Sequence, residues 1–256
     1  MQLTNENYFS PAAQTLYMGV SQFKAFEDCE AAALAEIRGE RVRPLTPALL
    51  VGSYVDAWFE GTLDDFKAAH PELFKRDGAL KAEYLVADRV IDRVRRDALF
   101  MGYMAGQKQV IMTGYIEGVP FKIKVDSLHP DKIVDLKVMR NFEPVYKPGM
   151  GRLIWPEAWG YDVQGAVYQE IVRQNTGERL PFYLAAVTKE EEPDMDVVQI
   201  GQPYLDAALD RVKADAPRFD AIKSGVFEPL NCGHCNWCRK TKVLTAPTDM
   251  EELFDE

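Results

Sequence analysis

Residues 121–137, FKIKVDSLHPDKIVDLK, constrain this chain more than any other stretch. Two apolar-alternating runs flank His129-Pro130-Asp131-Lys132, a turn-forming tetrapeptide, which predicts a β-hairpin. Side chains alternate along a strand. Phe121, Ile123 and Val125 therefore share one face, and Lys122, Lys124 and Asp126 the other. In the second run Val134, Leu136 and Val138 oppose Ile133, Asp135 and Lys137. A loop that pairs Leu128 with Ile133 sets Asp126 against Asp135. Like charges so placed have Cβ atoms about 5 Å apart and destabilise the pair, and aspartate is a poor strand residue. The arrangement calls for a cation between the carboxylates. Lys137 supplies one charge, and a divalent metal would supply more.

The surroundings predict helices on both sides of a small sheet. Ser21 caps a helix that runs to about Arg38 and stops at Gly39. Thr46-Pro47 opens another, with proline at its first position, and Gly61 ends it. A further helix is predicted over 81–99, then strands over 109–117, 120–128 and 132–138. A Pro- and Gly-rich loop over 144–151 leads to a helix over 156–174, strands over 181–188 and 197–200, and a helix over 204–224. This order predicts an α/β (α+β) sandwich around a mixed sheet. With 256 residues, 47% of them hydrophobic, the chain suits one domain over 1–242 with its core in about 46–200. An acidic tail, 243–256, is expected to fray. Neither a membrane-length apolar run nor a signal pattern in MQLTNENYFS is present, so a cytosolic protein is expected. The net charge of −10 excludes a generally basic nucleic-acid binder. Nucleic-acid contact must come from a local basic patch or bound metal.

Four cysteines in such a chain point away from disulfides. Three of them, Cys232, Cys235 and Cys238, are crowded into NCGHCNWC, and that spacing points to a metal. His234 is a candidate substitute ligand. Four thiolates suit tetrahedral zinc or a [4Fe–4S] cluster equally by ligand type.

Asp126 followed by Asp135-Leu136-Lys137 on the next strand resembles the PD-(D/E)xK nuclease motif in order, strand placement and face. A bland alternative is a solvated strand end with a salt bridge. Three further stretches match the same superfamily. VQGAVYQ, 163–169, places Gln164 and Tyr168 on one helix face and resembles the Q-x-x-x-Y signature of RecB-like nucleases. LLVGSYVDAWFEG, 49–61, resembles their Gly-x-x-x-His helix, with Gly52 in place and Asp56 where the family has a metal-binding histidine. A carboxylate is the natural substitute for a hard cation, and Glu60, one turn on, is the reserve. SQFKAFEDCE, 21–30, resembles the segment near the start of the iron–sulfur members, with Cys29 before the core and three cysteines after it. Together these stretches span residues 21–238, and the chain is identified as similar to RecB-like and phage exodeoxyribonuclease VIII-like (RecE-like) nucleases.

The resemblance implies a restriction-endonuclease-like core with a C-terminal Cys-rich loop. It implies Mg²⁺ or Mn²⁺ on Asp126, Asp135, Asp56 and the Leu136 carbonyl, with Lys137 catalytic and Gln164 and Tyr168 supporting the substrate. It implies a [4Fe–4S] cluster on Cys29, Cys232, Cys235 and Cys238, with Zn²⁺ the alternative. It further implies DNA as substrate and phage recombination as the setting, beside a single-strand annealing protein in a bacterial host. Lys122 and Lys124, followed by Arg140, Lys147 and Arg152, are candidates for the nucleic-acid backbone. Tyr103, Trp155 and Trp159 are candidates for base stacking. Two rival readings stay open: a non-catalytic DNA-binding or scaffold protein that kept the fold, and a zinc-dependent structural protein with incidental hairpin carboxylates. Oligomeric state is open.

Overall fold

The computed structural model describes residues 1–42, 44–147, 149–244, 246, 247, 249 and 250. The elements run α1 (Pro11–Leu16), α2 (Val20–Asp28), α3 (Glu30–Ile37), α4 (Pro47–Glu60), α5 (Leu63–Ala69), α6 (Leu85–Val94) and α7 (Ala98–Tyr103). Then come β1 (Gln107–Ile116), β2 (Val119–Leu128), β3 (Ile133–Met139), β4 (Val145–Lys147), β5 (Gly151–Leu153), α8 (Trp155–Ala158) and α9 (Tyr161–Thr176). The chain continues through β6 (Phe182–Thr188), β7 (Met195–Gln199), α10 (Gln202–Lys223) and α11 (Asn236–Thr241).

The main sheet is mixed, in the order β1-β2-β3-β6-β7. Strand β6 lies parallel to β3 and the other neighbours are antiparallel. The parallel pair requires a crossover, and α8 and α9 provide it. Each sheet face is buried by its own helices. Phe121, Ile123, Val125 and Ile133 pack with Val163, Val167 and Ile171 of α9 and Val212 and Phe219 of α10. Val134, Leu136 and Val187 pack with Leu50, Tyr54 and Val55 of α4 and Val90 and Val94 of α6. Gly165 lets α9 approach β6, because a Cβ there would come within 2.6 Å of the Phe182 ring.

The predicted mixed α/β sandwich is the observed one, and so are the limits of α4. Thr46 Oγ1 accepts from Leu49 N at 3.3 Å, and Gly61 ends the helix with φ 76°. Three predicted helices are each broken in two. The helix expected over 21–38 starts one residue earlier and breaks at Cys29, whose extended backbone (φ −169°, ψ 111°) separates α2 from α3. The helix over 81–99 opens as a short 3-10 turn and stops at Val94. Asp97 then caps α7, its Oδ1 accepting from Phe100 N at 2.8 Å. The helix over 156–174 breaks at Gly160, at φ 62°. The loop over 144–151 holds the small β4–β5 hairpin, and the Cys-rich loop ends in α11. Residues 251–256 of the expected acidic tail lie outside the described residues. Among the described residues no helix is long and apolar enough to cross a membrane.

Candidate active site and cysteine centre

Strands β2 and β3 leave their shared turn as a ladder of two pairs, Leu128↔Ile133 and Ser127↔Val134. This is the register read from the sequence. The ladder does not continue to the expected direct opposition of Asp126 and Asp135. Instead the Asp126 side chain enters the hydrogen-bonding direction, and its Oδ2 accepts from Leu136 N at 2.9 Å. A carboxylate that takes a strand's backbone N–H satisfies a buried donor and holds the two strands at the point where they part.

Asp135 is 2% exposed. Its Oδ1 accepts from Gln164 Nε2 of α9 at 2.6 Å. Its Oδ2 forms an ion pair with the Lys137 ammonium. Burial alone would lower the Lys137 pKa, yet Asp135, Tyr161 and Asp126 together outweigh it and the net shift is upward, so the ammonium stays charged. One turn beyond Gln164, the Tyr168 hydroxyl donates to the Lys124 carbonyl of β2 at 3.0 Å. The two helix-face residues thus tie α9 to both strands.

Asp56 projects from α4 into the same cleft. Burial, then repulsion from Asp135 and Glu60, lifts its carboxyl to about 7, although Lys137 pulls the other way. Asp126 is pushed well up by burial and by Asp135 and Asp56. Three carboxyl groups therefore crowd one cleft, with Lys137, Lys124 and Lys24 as the neighbouring cations. The cleft has a volume of about 720 Å³. Its lining includes Asp56, Glu60, Lys122, Lys124, Asp126, Asp135, Leu136, Lys137, Gln164 and Tyr168.

The family described as "PDDEXK-like domain of unknown function (DUF3799)" matches residues 19–241. The chain belongs to this family. Among solved structures it is similar to a Eubacterium rectale protein described as a "putative exonuclease". The identity is 47% over 99% of this chain and 98% of that one, with a TM-score of 0.93. No curated protein matches it. Family and neighbour together support a nuclease.

The PDDEXK-like cleft also recruits residues that the motifs did not mark. Gln109 of β1 donates from Nε2 to Asp126 Oδ1 at 3.2 Å, its own Oε1 is buried without a partner, and its backbone is left-handed at φ 51°. Lys24 of α2 lines the cleft and donates to the Trp159 carbonyl at 3.0 Å. Burial, with Lys137 beside it, lowers its ammonium to about 8. Tyr8 and Phe9 form part of the wall. A helix from Ser21 was legible in the sequence, but the facing of Lys24 onto the hairpin was not. Among the basic and aromatic candidates, Arg140, Tyr103, Lys147, Arg152, Trp155 and Trp159 are not part of the cleft lining. Lys122 is 2% exposed and its ammonium is spent on the Tyr8 carbonyl.

At the C-terminal end of α2, the sulfurs of Cys29, Cys232, Cys235 and Cys238 all lie within 4.8 Å of one another. Backbone N–H groups point at this set, among them Cys235 N to Cys232 Sγ at 3.3 Å and Cys238 N to Cys235 Sγ at 3.4 Å. Burial pushes the Cys29 thiol up to about 12. At Cys232 burial is outweighed by N–H groups from Cys235 and His234, and the thiol is drawn down to about 6. His234 turns its Nδ1 to the Cys232 carbonyl at 2.7 Å. The donor set can hold a metal, and it joins the break between α2 and α3 to the C-terminal loop. Beside it, Glu30 takes both Arg218 nitrogens (2.7 and 2.8 Å) and the Leu230 N–H (2.7 Å).

Proposed function

We propose that this chain is a divalent-metal-dependent deoxyribonuclease acting as an exonuclease on DNA ends. The observation that carries the proposal is the meeting of Asp126, Asp135, Lys137 and Gln164 in one cleft, where burial and mutual repulsion hold the carboxyls of Asp56 and Asp126 up. The convergence of Asp56, Asp126 and Asp135 on one cleft, with the raised carboxyls of Asp56 and Asp126, fits a hard cation. Asp126, Asp135, Asp56 and the Leu136 carbonyl are the groups that would hold Mg²⁺ or Mn²⁺. Such an ion, when bound, supplies an activated water and charge relief on the phosphate. The chain's own part is positional. Gln164 fixes the rotamer of Asp135, the Leu136 N–H and Gln109 fix that of Asp126, and Tyr168 holds β2 against α9. Lys137 brings a permanent cation to the phosphate and its developing charge.

The cysteine set fits a thiolate-bound metal. Four sulfurs at about 2.3 Å from one ion stand roughly 3.8 Å apart, close to the 3.5 Å and 3.9 Å between Cys238 and its neighbours Cys29 and Cys232. The ligand set suits a single ion such as Zn²⁺, and the family resemblance supports [4Fe–4S]. Iron, sulfide and zinc analysis of anaerobically purified protein distinguishes them. The resemblance also supports end resection in phage recombination beside a single-strand annealing protein.

Mg²⁺-dependent digestion of linear DNA, with closed circular DNA as control, tests the nuclease reading. The parent degrades the linear form, and Asp135→Asn abolishes digestion while the protein stays folded. An active Asp135→Asn variant, or an inert parent with either metal, overturns the reading.

A further inference from the structure

The segment that precedes α1 is built as a wall of the cleft. Tyr8 is 8% exposed. Its N–H donates to the Thr4 carbonyl at 2.9 Å, and its own carbonyl receives the Lys122 ammonium. Ser10 caps α1, with its Oγ accepting from Ala13 N at 3.2 Å. Phe9 lies between these two anchored residues and is 67% exposed. Its ring stands edge-on to Tyr8, with centroids 4.9 Å apart and planes at 84°. The backbone on either side is held, so the ring projects from a fixed base at the mouth of the cleft. The Lys124 ammonium sits 5.4 Å from the Phe9 centroid. Phe9 also borders a second groove of about 540 Å³, lined by Ala25, Ala33, Ile37 and Arg38. The ring therefore crowns a ridge between that groove and the carboxylates.

A single exposed phenylalanine is ordinary on a protein surface. This one is held in place, beside a lysine, at a cleft that Asp56 and Asp126 also line. Aromatic faces accept any base by stacking, and a neighbouring cation accepts the phosphate that comes with it. In paired duplex the base faces are already stacked on one another, so an isolated ring gains contact only with an unpaired nucleotide.

We propose that Phe9 is a base-stacking ledge that receives an unpaired nucleotide of single-stranded DNA at the cleft mouth, with Lys124 on the adjoining phosphate. The proposal rests on the nuclease reading and adds the form of the substrate that the site grips. Its test is equilibrium binding of the full-length protein, in Ca²⁺ buffer, to a single-stranded oligonucleotide carrying 2-aminopurine and to a blunt duplex. Phe9→Ala is expected to weaken single-strand binding by roughly tenfold and to remove 2-aminopurine quenching. Phe9→Trp should retain both. Phe9→Leu, apolar but without a π face, should behave like the alanine variant, and duplex affinity should change by less than about twofold in all three. Single-strand affinity unchanged in Phe9→Ala, or quenching retained in Phe9→Leu, overturns the ledge. If the parent still cuts DNA in an Asp135-dependent manner, that result removes the ledge alone. A parent that neither binds nor cuts DNA removes the nuclease reading and the ledge together.

Discussion

Asp56→Asn should stabilise the metal-free protein at pH 8 and leave its stability nearly unchanged at pH 4. In the folded chain, burial and the neighbouring Asp135 and Glu60 lift this carboxyl from the usual 3.8 to about 7. A carboxyl with a raised folded pKa binds its proton more tightly when folded, so the folded state loses stability as pH rises from about 4 to about 7. At 1.36 kcal/mol for each pH unit between the two values, the full cost of ionised Asp56 above pH 7 is about 4 kcal/mol at most. Asparagine keeps the shape and removes the charge, and with it the cost. Urea unfolding in EDTA at pH 4, 5, 6, 7 and 8 measures the difference between variant and parent directly, and taking the difference cancels the titration of unrelated groups. The gap should open from about pH 4 and be complete near pH 7, in favour of the variant. A saturating divalent ion should reverse the order at pH 8, because cation binding stabilises the parent's ionised form. A gap independent of pH, or an asparagine variant less stable than the parent at pH 8 in EDTA, refutes the picture of a carboxylate held against its charge for a cation.

Gln109 supplies a second test. Gln109→Ala removes the amide on Asp126 and should reduce metal affinity or turnover by roughly tenfold, read by metal titration of activity. Gln109→Gly should be the more stable of the two, because glycine adopts the left-handed backbone freely, but equally impaired. Recovery of activity in the glycine variant would show that backbone strain and not the amide matters. At the cysteine centre, a metal tying Cys29 to Cys232 closes a loop of roughly 200 residues, worth on the order of 5 kcal/mol in the loop-entropy picture. Cys29→Ser should therefore lower the melting temperature and the bound metal. The C-terminal loop should nonetheless stay docked through Glu30 and Arg218, and limited proteolysis should find it exposed only when Glu30→Ala is added.

Local chemistry made much of this protein readable in advance. The alternation in FKIKV and KIVDLK, with a turn sequence between them, determined the hairpin and its register. Thr46-Pro47 and Gly61 determined α4, because capping and left-handed glycine are local effects. The i, i+4 spacing of Gln164 and Tyr168 placed both on one helix face, and the order of Asp126, Asp135 and Lys137 was enough to propose the chemistry. Helix breaks were read less well. Cys29 and Gly160 sit inside sequences that favour helix on both sides. The first lies where the chain bends to gather the four sulfurs, and the second where Lys24 crosses to the Trp159 carbonyl, so the reason for each break is far away in sequence.

What no local pattern could decide is which distant groups face the carboxylates. Gln109 acts on Asp126 only because β1 lies beside β2. Lys24 and Phe9 reach the cleft only because the N-terminal segment packs across β2, with Met18 N donating to the Pro120 carbonyl at 2.7 Å and Lys122 N to the Met18 carbonyl at 3.0 Å. Lys122, which the strand pattern offers to the substrate, is instead consumed in holding that segment down. Charge follows the same rule. Sequence gives three aspartates the same intrinsic acidity, and burial together with mutual repulsion in the fold makes Asp56 and Asp126 reluctant to ionise, because only tertiary packing sets how much water and which charges surround each carboxyl.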